Sequence, residues 1–255
     1  MNYQHIKSLL EEQVQRFNTP EFISSDPISI PHKFKVKEDR EIIGLLTATI
    51  AWGNRKSIIK SGENLIKIFG KSPFEFVMNY METDYHYVQD FKHRTFNGFD
   101  LHFFILSLKN IYNQPGGMQK LFSSGFKKEK SAAGGIINFR NSFFYDDTQN
   151  IRTKKHVSNP QKGSASKRLN MFLRWMVRKD DKGVDFGIWQ DISPSLLSCP
   201  LDVHSGNTAR RIGILNRKQN DWKAVQDLDR ILRKLDSKDP SKYDFALFGM
   251  GLNQL

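Results

Sequence analysis

Cysteine is nearly absent: Cys199 is the only one in 255 residues. That excludes an intramolecular disulfide framework, a four-cysteine zinc site and an iron-sulfur cluster held by four cysteines of this chain. No apolar run approaches the roughly 18 residues of a membrane-spanning helix, since the longest, Ile42 to Trp52, is interrupted by Gly44, Thr47 and Thr49. The N-terminus, with Glu11 and Glu12 close behind Met1, lacks a secretory pattern. A dinucleotide-binding glycine fingerprint, a glycine-lysine phosphate loop and internal repeats are all missing. Seven histidines, at 5, 32, 86, 93, 102, 156 and 204, include no pair at zinc-binding spacing. These absences lead us to expect a cytoplasmic protein with no membrane segment and no bound metal.

What is abundant is positive charge. Lys and Arg number 39 against 27 acids, a formal net charge of +12, while 38% hydrophobic content and 20 Phe supply a globular core. Residues 151–178 carry +8 with no acid, 203–218 carry +4 with no acid, and 179–202 carry −3, so +9 of the total lies in 68 residues. Such concentration favours one phosphate-facing surface around this segment.

Apolar periodicity and caps predict a mostly helical chain. Residues 1–17 place Ile6, Leu9, Leu10, Val14 and Phe17 on one face. Residues 39–51 are apolar on nearly every side, as in a central buried helix. Residues 55–69 end at Gly70, and Ser72-Pro73-Phe74-Glu75 opens another helix. Asp100 is expected to cap a helix through Tyr112, and Asp221 one with Val225, Leu228, Ile231, Leu232 and Leu235 on its apolar stripe. The stretch 114–135, with five glycines and Lys127, Lys128 and Lys130, reads as a long mobile connection, either a waist between two lobes or a surface loop.

The chemistry concentrates in two segments. Asn159 to Ser166 is a turn of small residues that runs into a helix begun by Lys167, whose Leu169, Phe172, Leu173 and Met176 follow helical spacing. Backbone amides of Gly163, Ser164, Ala165 and Ser166 at such a helix start suit a phosphate. Lys167, in the first turn and near Lys162, Arg168 and Arg210, is placed to lose its proton and attack an electrophilic carbon. The competing role is a simple phosphate contact. In Cys199-Pro200-Leu201-Asp202-Val203-His204, Asp202 stands before a further helix as a cap or as an acid set among basic residues, with Arg210 and Arg211 following.

Together these segments resemble the helix-hairpin-helix DNA glycosylases, closest to the archaeal 8-oxoguanine glycosylase branch, and the chain resembles a widespread bacterial family of uncharacterised proteins assigned to that superfamily. The match is strong over 159–213. Gly163-Ser164-Ala165-Ser166-Lys167 corresponds to the hairpin with its lysine, and Pro200-Leu201-Asp202-Val203-His204 to the aspartate segment, separated by an insertion from Lys179 to Cys199. Trp52-Gly53-Asn54 resembles the loop inserted into DNA near the lesion, and Tyr243 to Gly249 the closing helix. The hairpin departs from the usual Gly-x-Gly, and the iron-sulfur cysteines of one branch are missing.

The resemblance implies an all-α, two-lobed fold with a cleft between the lobes, treated as a single domain over 1–255. It implies a glycosylase with AP lyase activity on a damaged, oxidised base in double-stranded DNA. The chain is expected to act as a monomer associated with the nucleoid, using Lys167 and Asp202 as catalytic groups. Gly163, Ser164, Ala165, Ser166, Arg168, Arg210, Arg211 and Asn54 are expected to contact DNA, and Trp52, Trp189 and His204 to form the base pocket. No cofactor is expected, and the hairpin allows a monovalent cation. The alternatives are a non-catalytic helix-hairpin-helix protein that binds DNA or RNA, and a scaffold whose basic face meets an acidic protein.

Overall fold

The computed structural model describes residues 3–145 and 152–252. They form helices α1 Tyr3–Phe17, α2 Pro20–Ser25, α3 Lys37–Thr49, α4 Arg55–Phe69, α5 Pro73–Asn79, α6 Gly98–Tyr112, α7 Gly117–Glu129, α8 Ala132–Phe143, α9 Lys167–Val177, α10 Val203–Arg211, α11 Trp222–Leu235 and α12 Tyr243–Leu252. The only described strands, β1 Lys92–His93 and β2 Phe96–Asn97, pair antiparallel with Lys92 opposite Asn97. The fold is therefore all-α, as the periodicity predicts.

Local chemistry explains most helix boundaries. The Asn54 side chain accepts from the Ser57 amide at 3.3 Å and starts α4. Gly70, at φ +70, ends it with its amide bonded to the Ile66 carbonyl. Asp221 caps α11 through the Ala224 amide at 3.0 Å. One boundary differs from expectation: Asn97, not Asp100, caps α6. Asp100 lies three residues inside, and its carboxylate returns to the Asn97 amide in a reciprocal box.

The glycine-rich stretch is the larger correction. Residues 117–143 are the helix pair α7 and α8, joined through Lys130 in the left-handed region at φ +49. A Cβ on Gly125 would stand 2.2 Å from the Gly134 carbonyl oxygen, and one on Gly135 2.6 Å from the Phe126 ring. These glycines let two helices approach each other rather than loosen a loop.

Two hydrophobic cores organise the molecule. The larger runs from Ile28 to Leu197 through α3–α9 and takes in Phe245 from α12. The smaller joins the chain's outlying segments: Ile6, Leu10 and Val14 of α1 pack with α10, α11 and α12. Each of these side chains contributes about 2 kcal/mol by leaving water. Trp222 packs against both cores. Before the turn at Gly163 the chain makes two 3-10 turns, Thr153–His156 and Pro160–Lys162, rather than an α-helix. α9 and α10, which carry Lys167 and Asp202 at their starts, meet where the two cores adjoin.

Candidate active site

Lys167 is the first residue of α9, and its Nζ lies 3.8 Å from Oδ2 of Asp202. Both side chains are about a quarter exposed. Asp202 is the N-cap of α10: its Oδ1 accepts from the Ser205 amide at 2.9 Å, and the Ser205 hydroxyl reaches back to the Asp202 amide at 2.9 Å. Asn220 donates to the Asp202 carbonyl at 3.0 Å. The capping contact and the contact with Lys167 thus coexist, one oxygen of Asp202 serving each.

The surroundings of Lys167 reverse one expectation. The ionisable groups sharing its pocket are Asp26, Asp202, Asp244 and Arg174, so carboxylates outnumber cations. Arg168 turns away, with Nη1 on the Thr49 carbonyl and its guanidinium 4.9 Å over the Trp52 ring, and burial pushes it down to about 10. Arg210 bonds the Arg217 carbonyl at 2.8 Å and the Asn220 side chain at 2.5 Å. The cations expected to crowd Lys167 are therefore directed elsewhere, and a carboxylate oxygen of Asp202 lies beside its Nζ instead.

Asp244 enters the pocket from α12. Its Oδ2 accepts from Arg174 Nη1, and burial lifts its carboxyl to about 6 against the opposing pull of Arg174 and Lys167. Asp26 is also buried and raised for the same reason, although it accepts from the Ile28 amide at 3.1 Å. Arg174 Nε continues to Asp185 at 3.2 Å, and Arg178 joins Asp185, Asp180 and Asp239. Asp185, Asp244 and Asp26 outweigh burial and raise Arg174 above the ordinary arginine value. Arg174 and Arg178 are hence buried struts between α9, the insertion and α12, not part of a phosphate-facing surface. Arg217 is likewise engaged, with Asp221 at 2.5 Å.

Phe22, Met171, Phe245 and Phe248 supply the apolar walls. Only about 30 Å3 is open to water, enough for about one molecule and much less than a nucleobase occupies. Phe22 and Phe248 are partly exposed and meet edge to face at 6.2 Å. Phe22, Asp26, Arg174, Asp244 and Phe248 were not singled out from sequence as pocket residues. They come from three segments far apart in the chain.

The other expected contacts separate. Trp189 is fully buried among Phe122 and Phe172, with Nε1 on Glu41 at 2.6 Å, so it is a core residue and offers no face to a base. His204 is exposed on α10 beside Gly251 and does not line the pocket. Arg211 is exposed, whereas Trp52 and Asn54 line a neighbouring cavity.

The turn at 163–166 is largely satisfied from within. Gly163 N bonds the Pro160 carbonyl, Ser164 N the Asn159 carbonyl and Ser166 N the Ser164 hydroxyl. These amides are already bonded and are not the open phosphate cradle expected. The Gly163, Ser164 and Ala165 carbonyls accept from Trp222 N, Ser166 Oγ and Asn170 Nδ2. A monovalent cation there would have only their second lone pairs. At the start of α9, Ser166 sits at φ +50 and gives no side-chain cap. No set of three or more His, Cys, Asp or Glu side chains among the described residues has a metal-holding arrangement. Nor is any described helix long and apolar enough to cross a membrane.

Comparison with known proteins finds one family model, described as a protein of unknown function (DUF2400), matching residues 26–253. No curated protein and no solved structure matches the chain.

Proposed function

We propose that this chain, which belongs to the DUF2400 family, is a DNA repair glycosylase with AP lyase activity that removes a damaged base through a lysine Schiff base. The observation that carries the reading is the approach of Lys167 Nζ to Asp202 Oδ2, 3.8 Å apart in one pocket. A pure binder needs a cation at 167 but has no use for an acid facing it. The pairing of terminal helices in one core against a larger helical core agrees with a two-lobed glycosylase.

In this mechanism the target nucleotide leaves the stack at a cost of a few kcal/mol, reduced when the base is damaged. It enters by displacing the partly exposed edge formed by Phe22 and Phe248, whose rings flank the base, while Asp244 and Arg174 present polar atoms to it. Asp202 Oδ2 accepts a proton from Lys167 and passes it on towards the departing base, so that the restored carboxylate stabilises positive charge developing on the sugar. The neutral Nζ bonds to C1′, and the glycosidic bond breaks with its electron pair leaving on the base, which takes up a proton. Opening of the sugar ring and loss of the second Nζ proton give the imine. Removal of a C2′ proton then expels the 3′ phosphate.

Borohydride, which reduces the imine to a stable amine, tests this directly. The wild-type chain should be trapped covalently on duplex DNA with an abasic site or oxidised base, and Lys167→Gln should give no trapped product. Retained DNA binding without trapping across a lesion panel would instead support a non-catalytic binder.

A further inference from the structure

Beside the loop joining α3 to α4 lies a second cavity of about 360 Å3. One wall is a single face of α4, where Asn54, Ser57, Lys60 and Asn64 recur at helical spacing. The β1–β2 hairpin stands opposite and brings Lys92 and Arg94. No acid lines the cavity, and Lys60, Lys92 and Arg94 make no ion pair among the described residues. All three are exposed. A concave space with three uncompensated cations and several neutral donors has the chemistry to take a phosphate.

The hairpin is held in place from behind. Buried His93 shares a hydrogen bond with the Ser61 hydroxyl at 2.8 Å and contacts the Trp52 carbonyl through its other nitrogen at 3.3 Å. Arg152 donates to the Thr95 carbonyl at 3.2 Å. The Arg94 guanidinium lies against Gly53, where a Cβ would stand 2.2 Å from Nη1. The intervening loop and the start of α4 also reach residues at or next to the Lys167 pocket. Arg168, the residue after Lys167, covers the Trp52 ring, and Arg55 lies 4.9 Å over Phe248. Residues 52–55 thus connect the second cavity to the surroundings of Lys167.

We propose that this cavity binds a backbone phosphodiester of the same nucleic acid whose nucleotide enters the Lys167 pocket, with Lys60, Lys92 and Arg94 as its cations. The assignment rests on the proposed function, and its test reads a different signal. Neutralising one phosphate contributes about 0.9 to the slope of log affinity against log salt. Lys60→Ala/Lys92→Ala/Arg94→Ala should lower that slope by about 1 and weaken duplex binding roughly tenfold near physiological salt. A control, Lys7→Ala/Lys120→Ala/Lys238→Ala, removes the same charge from exposed positions elsewhere and should leave the slope unchanged.

Equal losses in both variants would mean general charge rather than a site, and overturn the proposal. So would an unchanged slope in the first variant. Inorganic phosphate, titrated at constant ionic strength without nucleic acid, distinguishes a free anion: saturable binding lost in the first variant, with duplex binding intact, also overturns it. Borohydride trapping on the same proteins separates the two readings. A slope set by these cations in a chain that never traps would remove the glycosylase and leave the site. Trapping with an unaltered slope would do the reverse, and a wild-type chain without duplex binding would remove both.

Discussion

Because Oδ1 of Asp202 is occupied by the Ser205 amide and hydroxyl, only Oδ2 is left to meet Lys167, and the two roles can be separated by substitution. Asp202→Asn keeps an oxygen for the cap and removes the charge. Base release should slow by about 100-fold, as expected for loss of a preorganised electrostatic contact, while DNA affinity and melting temperature stay close to wild type. Asp202→Ala should in addition lose about 1 kcal/mol of stability with the cap, measured by urea unfolding. If Asp202→Asn weakens binding as much as base release, the carboxylate acts only through structure. Lys167 and Asp202 were legible because each lies in a short segment with its own signature. Arg174 and Asp244 were not: they meet across 70 positions, and sequence alone does not distinguish a buried guanidinium from one facing solvent.

Among the helices, legibility followed the range of the forces at each boundary. The limits of α4 come from Asn54 and Gly70, both local, and were read correctly. The pair α7 and α8 was missed because glycine has two uses, freeing the backbone and making room, and only a neighbouring helix decides between them. Gly125 is the sharpest case, since the obstruction is backbone and cannot swing aside. Gly125→Ala should destabilise the protein by about 2 kcal/mol despite the better helix propensity of alanine, seen as a lower urea midpoint. A neutral or stabilising result would mean that the helices separate freely. Trp189 was misassigned for a related reason: its segment folds back on α9, with Phe186 N on the Trp175 carbonyl at 2.8 Å and Trp189 N on the Met176 carbonyl at 2.9 Å. That return places the indole in the core.

For the whole molecule, buried acids set the pH response. Asp229 accepts from the Cys199 amide at 2.9 Å and is pushed by burial from its ordinary 3.8 to about 6. A raised carboxyl contributes stability that is present below about pH 4 and lost as pH rises through about 6, a swing of about 3 kcal/mol. Asn at 229 retains an acceptor for Cys199 and does not titrate. Asp229→Asn should therefore gain on wild type between pH 4 and pH 7.5, by up to about 3 kcal/mol, a figure that already contains the opposing pull of Arg233. Urea unfolding at the two pH values checks this, and a difference independent of pH would show that Asp229 is not strained by burial. The concentrated charge also reads differently at this scale. Part of the basic run from 151 to 218 is internal scaffolding through Arg174 and Arg178, and the Lys167 pocket holds three carboxylates where one was expected.

The smaller core joins segments that leave the ribosome far apart in time. Phe17 of α1 lies against Gly249 of α12, and Glu11 accepts from the Tyr243 hydroxyl at 2.7 Å. During synthesis the larger core, all but Phe245, can assemble from residues already made, while Ile6, Leu10 and Val14 wait for α10–α12 to emerge. Asp202 is positioned by that same later assembly. A ribosome-bound chain halted before α12 would hold Lys167 without its completed surroundings, so the proposed chemistry at Lys167 would begin only after the apolar stripe of α1 had been covered.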